Sequence, residues 1–119
     1  MASALEFPID PAGVKALLLD LDGVVYQDNR LITGAKKALQ MLRGQNRPAV
    51  FVTNTTSRSR RLIWEQLRGL GISAAQEDIL NAPRLAAQLL RREKIDRCLL
   101  LAPETCHEDF VDLDIDPQS

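Results

Sequence analysis

The chain has 119 residues, 45% of them hydrophobic and 26% charged, with a formal net charge of -1. That size and balance suit one domain at most, with a core of its own. They exclude a chain that is mainly disordered, and give no electrostatic case for nucleic acid or an anionic membrane as partner. No apolar run approaches the ~18 residues of a membrane span, and the first ten residues lack an apolar signal core. Cys98 and Cys106 follow neither a zinc nor a disulfide pattern, so the expectation is a cytoplasmic protein with two free thiols.

Met1 to Gly13, carrying Pro8 and Pro11, reads as a loose lead-in. Lys15 to Tyr26, KALLLDLDGVVY, is the stretch around which the rest is organised. Leu17, Leu18 and Leu19 have the pattern of a strand buried on both faces and run directly into Asp20. Asp22 follows where that strand ends, so a turn can aim both carboxylates at one point. Carboxylates that close repel unless a cation or a shared proton lies between them, and hard, oxygen-seeking Mg2+ suits them. Gly23 lets the backbone turn sharply or approach a ligand. Asp-x-Asp-Gly can also be a plain polar exit from a strand; the leucine run and the glycine favour a site.

Gly23 to Ile32 reads as a short hairpin or flap turning at Asp28-Asn29. Thr33 can cap a helix from Gly34 to about Arg43, with Ala35, Ala38, Leu39 and Leu42 on one face. Gly44 and Pro48 end it. Ala49 to Val52 is a second strand, ending at Thr53 and Asn54, and strand, helix, strand implies a right-handed parallel unit. Ser57 or Ser59 can cap a helix to about Arg68, with Trp64 in the core or an interface. A third strand is expected at Asp78 to Asn81, then a helix with Pro83 in its first turn through Arg92. Arg97 to Ala102 reads as a fourth strand and Pro103 to Phe110 as a short helix. The tail bearing Asp109, Asp112, Asp114 and Asp116 could chelate a cation but reads as a solvated linker; Arg58, Arg60 and Arg61 could meet a phosphate but read as an exposed helix face, and His107 as a solvated helix residue.

In open parallel sheets, ligands bind beyond the carboxyl ends of the strands. Asp20 and Asp22 would there meet Thr53 and Asn54, and the start of the next helix would add N–H donors for an anion. Mg2+ with such donors makes a phosphate site. Thr53 to Ser57 can alternatively be a loop with a helix cap.

LLLDLDGVVY, then ITGA, then FVTNTTSRSR resembles the haloacid dehalogenase superfamily of phosphohydrolases, over about Val14 to Pro117. Within it the resemblance is to subclass IIA, the NagD-like and p-nitrophenylphosphatase-like branch. It implies an α/β fold, a Rossmann-like parallel sheet with flanking helices. Residues 1–93 would be the first half of the core and 94–119 the start of an inserted cap. It also implies Mg2+-dependent hydrolysis of a small-molecule phosphate ester through an aspartyl phosphate. Asp20 would be the nucleophile and Asp22 the acid and base; Asp20 and Asp22, the latter through its carbonyl, would hold Mg2+. Thr53 would bind the phosphoryl group, Asn54 and Gly23 would line its site, and Gly23 to Tyr26 would open the flap.

Thr33 replaces the proline the family favours before the glycine of ITGA. The family's later lysine and its Gly-Asp acid have no match; Lys94 is the last lysine and no Gly-Asp occurs. The chain is therefore expected to be incomplete and inactive alone. Its open apolar edge at Leu17 to Leu19 would be covered by another copy or by a missing C-terminal half. The alternative is a non-catalytic binding or assembly module. A phosphate-receiving receiver-like domain and a metal–diphosphate sugar transferase fit less well, lacking respectively the late lysine and a reason for Thr53-Asn54.

Overall fold

The computed structural model describes residues 13–111 and 113–116. Its centre is a three-stranded parallel sheet in the order β1-β4-β5, from β1 (Leu17–Asp20), β4 (Ala49–Val52) and β5 (Ile79–Leu80). Between β1 and β4 lie an antiparallel hairpin, β2 (Tyr26–Gln27) with β3 (Arg30–Leu31), and helix α1 (Ala35–Arg43). Helix α2 (Arg60–Gly69) joins β4 to a 3-10 turn at Gln76–Asp78, and α3 (Ala82–Arg92) follows β5. Strand β6 (Arg97–Leu99), a 3-10 segment at Glu104–Phe110 and β7 (Asp114–Asp116) complete the described chain.

Local chemistry explains most of these boundaries. Asp28 and Asn29 both have positive φ, 51 and 60, the conformation that a two-residue hairpin turn requires at both central positions. Ser59 caps α2 by accepting the Leu62 N–H, and Asn81 caps α3 by accepting the Arg84 N–H, at 3.2 and 3.1 Å. The apolar faces of the helices meet the sheet in a core of Leu21, Val25, Tyr26, Leu39, Phe51, Ile63, Leu67, Ile72 and Ile79. Trp64 packs on its margin, its indole N–H donating to the Ala74 carbonyl.

Three expectations are corrected. Strand β1 is not buried on both faces: Leu17 and Leu19 are half-buried, whereas Leu18 is 75% exposed. It lies at one edge of the sheet, and the described residues cover only the face that Leu17 and Leu19 share. Thr33 does not cap α1; Gly34, at φ 87, holds that position, and the Ala35 N–H is met by the Ile32 carbonyl at 3.0 Å. The acidic tail is not a linker over 114–116, where β7 pairs in parallel with β6. The Asp114 N–H donates to Asp96 O at 2.8 Å, and Arg97 lies 3.9 Å from the Asp114 carboxylate. Asp112, the lead-in to Ala12 and 117–119 lie outside the described residues.

Candidate active site

The parallel register sets the ends of the strands side by side. Asp20, the last residue of β1, stands opposite Val52, the last of β4, and Thr53 continues by donating its N–H to Leu80 at the end of β5, 3.0 Å away. Asp20 is exposed, and its Oδ1 accepts the Leu21 N–H at 2.8 Å, which restricts the rotation of the carboxylate. Three N–H groups, from Val24, Val25 and Tyr26, then converge on the Leu21 carbonyl at 2.9 to 3.2 Å. The turn so formed carries Asp22 outward, and the Gly23 N–H closes it on the Tyr26 carbonyl at 2.8 Å. Gly23 makes this possible at φ 82, a left-handed conformation that glycine adopts without steric cost.

Thr53 is buried, at 4% exposure, and Asn54 is exposed. The Thr53 hydroxyl donates to the Thr55 hydroxyl at 3.2 Å and accepts the Thr55 N–H at 3.3 Å. The fold thus sets Asp20, Asp22, Gly23, Thr53 and Asn54 at or just beyond the carboxyl ends of β1 and β4.

The start of α2 does not offer an anion site. Its Arg60 N–H is held by both Asp109 carboxylate oxygens, at 3.0 and 3.2 Å, and the Ser59 N–H donates to the Thr105 carbonyl at 3.0 Å. Ser59 also hydrogen-bonds Glu108, and Asp109 accepts from Asn81 Nδ2 at 3.0 Å. A carboxylate from the Glu104–Phe110 segment already fills the positive end of the helix. No local sequence signal connects Asp109 to a helix that starts 49 residues earlier.

Tyr26, read from the sequence as the end of the flap, and Arg58, read there as an exposed helix residue that could alternatively meet a phosphate, lie near one another. Tyr26 is 2% exposed, and its hydroxyl has no hydrogen-bond partner among the described residues. Burial raises its pKa and the Asp22 charge adds to this, with a smaller push from Asp20. The Arg58 charge and a hydrogen-bonding contact from Arg58 oppose the shift, so the two side chains adjoin, short of a well-formed hydrogen bond. Arg58 precedes α2 and is half-buried, so it is not a residue of an exposed helix face.

Among the described residues no group of three or more His, Cys, Asp or Glu forms a metal cage. Mg2+ does not require one: it keeps several waters and takes one or two carboxylates plus substrate phosphate. An all-oxygen pair at an exposed strand end, Asp20 and Asp22, fits that ion. A cleft of about 420 Å³ lined by Leu39, Arg43, Pro48, Phe51 and Asp78 opens at the amino end of β4, away from these carboxylates. No helix among the described residues is long and apolar enough to cross a membrane.

A family model for haloacid dehalogenase-like hydrolases matches residues 17–116. Human haloacid dehalogenase-like hydrolase domain-containing protein 2 is 35% identical over 97 residues, which cover 82% of this chain and 37% of that protein. The p-nitrophenyl phosphatase from Archaeoglobus fulgidus superposes with a TM-score of 0.80 at 28% identity, over 86% of this chain and 40% of its own. The glycerol phosphate phosphatase from Mycobacterium tuberculosis in complex with magnesium does so at 0.74 and 31%, over 86% and 32%. The chain thus spans between about a third and two fifths of the length of these proteins.

Proposed function

Because the chain belongs to the haloacid dehalogenase-like hydrolases, we propose that it carries the nucleophile half of a Mg2+-dependent phosphomonoesterase site for a small phosphate ester. The observation that carries this reading is the pairing of Asp20 with Val52, one residue before Thr53, at the carboxyl end of the sheet, with Asp22 on the turn beyond. Both lie within the stretch matched to the family.

In this reading the Asp20 carboxylate attacks phosphorus, and the bond from phosphorus to the ester oxygen breaks. Asp22 gives its proton to the departing oxygen. Asp22 then takes a proton from water, whose oxygen attacks the aspartyl phosphate, releasing inorganic phosphate and restoring Asp20. Such acid–base assistance is worth roughly 10²–10⁴ in rate. Bound Mg2+, held by Asp20 and the Asp22 carbonyl, would offset phosphoryl charge. The Leu21 N–H on Asp20 Oδ1 orients the nucleophile. Thr53 serves the phosphoryl group by exchanging its bond to Thr55 for one to a phosphate oxygen. Gly23 and Asn54 line the same end of the sheet.

The family's lysine and Gly-Asp acid have no counterpart in this sequence. The chain alone is therefore expected to bind Mg2+ and phosphate without sustained turnover of p-nitrophenyl phosphate. Calorimetric titration with Mg2+ tests the reading: binding should be present in the wild type and lost in Asp20→Asn. Equal binding by both proteins, or none by either, would refute it. The exposed Leu18 on the edge strand favours a second reading, a non-catalytic binding or assembly module. That reading requires Asp20→Asn to leave assembly and metal content unchanged.

A further inference from the structure

We propose that the cleft at the amino end of β4 is a second ligand site, which takes a small organic molecule with one anionic head on an apolar body. The proposal does not depend on the reading of Asp20 and Asp22. Asp20 stands opposite Val52, three residues and about 10 Å along the strand from Ala49.

The cleft has the chemistry of a small-molecule site. Its volume is about 420 Å³, within the range of pockets that enclose such ligands. Leu39 and Phe51 line it from the buried core, with Leu42 and Pro48 beside them. Arg43 and Arg47 line the same cavity. Neither guanidinium has a hydrogen bond or ion pair among the described residues. The sequence explains this: from Asn29 to Trp64 it contains no Asp or Glu, so neither arginine has an acid within reach along its own helix or turn. Arg43, in the last turn of α1, also complements the helix dipole. Arg47 lies beyond the helix and is nevertheless half-buried. A half-buried fork of donors without an anion is matched by a ligand that brings one.

The arginines are held in place before any ligand arrives. The Gly44, Gln45 and Asn46 N–H groups donate to the Gln40, Leu42 and Arg43 carbonyls at 3.1 to 3.3 Å. The Pro48 carbonyl accepts the Leu17 N–H at 2.9 Å, which ties the turn to β1. Asp78 also lines the cleft, and its Oδ2 accepts the Ala75 N–H at 3.4 Å. It pairs with neither arginine among the described residues, and its charge disfavours a second anionic group on the ligand.

The probe is 2-naphthoate, with 2-naphthamide as its neutral counterpart, titrated into the full chain by calorimetry and by amide NMR shifts. Naphthoate is expected to bind at least about fivefold more tightly than naphthamide, and salt at about 0.5 M should remove most of that difference. Shifts should cluster at Leu39 to Phe51 and Asp78 and leave Asp20 to Gly23 unmoved. Arg43→Ala and Arg47→Ala should each weaken naphthoate by about fivefold to tenfold and leave naphthamide unchanged. Arg47→Lys should keep part of the affinity, since it retains the charge and loses the fork. Equal affinity for acid and amide, no naphthoate binding, or shifts centred on Leu18 overturn the proposal. So does a dimer that naphthoate dissociates, which would make the cleft an interface between copies. The comparison of acid with amide uses the wild type alone, so it decides even where a variant fails to fold. Asp20→Asn, which tests the Mg2+ site, should leave naphthoate binding unchanged.

Discussion

Gly23 shows how narrow the tolerance is at a single residue of this site. A methyl group built there would meet only Gln27 Oε1, at an ordinary 3.6 Å, so space is not the constraint. The constraint is φ 82, which costs an L-residue roughly 1–2 kcal/mol. Gly23→Ala should lower stability by about that amount in denaturant titration and weaken Mg2+ binding by turning Asp22. An unchanged midpoint would show that the turn relaxes freely. The positions of Asp20, Asp22, Thr53 and Asn54 at or just beyond strand ends were legible in the sequence because an apolar run stops at each. The half-buried setting of Arg58 was not, because nothing local says that a loop arginine ahead of α2 will turn inward instead of extending an exposed helix face.

Helix α2 depends on residues far from it in the chain. Glu108 is held below the usual carboxylate range, first by the hydrogen bond from Ser59 and, against some burial, by Arg61. A folded-state value below the unfolded one means the contribution to stability is present above the unfolded pKa of about 4.3. It is lost as pH falls through the depressed folded value. Wild type should therefore melt above Glu108→Gln near neutrality, and the gap should close in acid. A gap independent of pH would assign the effect to packing. Arg61 and Glu108 are largely exposed, so the gap will be small.

Considered whole, the described chain leaves β1, the strand bearing Asp20, at a sheet edge with Leu18 on an uncovered face. Unpaired N–H and C=O groups beside exposed leucine form a template for another strand. Sedimentation should therefore show concentration-dependent self-association, reduced by Leu18→Lys. A monodisperse, protease-resistant monomer would contradict this. Leu101 and Val111 are likewise exposed, at 76% and 83%, so apolar surface is not confined to that edge.

Sequence alone determined the strands that end at Asp20 and Val52, the Asp28-Asn29 hairpin and Ser59 as one of two candidate caps of α2. Each is decided by interactions within a few residues: an apolar run, a left-handed pair, a short polar side chain ahead of a helix. Tertiary structure decided the exposed face of β1, the conversion of the acidic tail into β7, and the occupation of the α2 terminus by Asp109. It also decided the meeting of Tyr26 with Arg58. These depend on which surfaces remain uncovered and which charges find partners across the fold, and residue order expresses neither until the chain has packed.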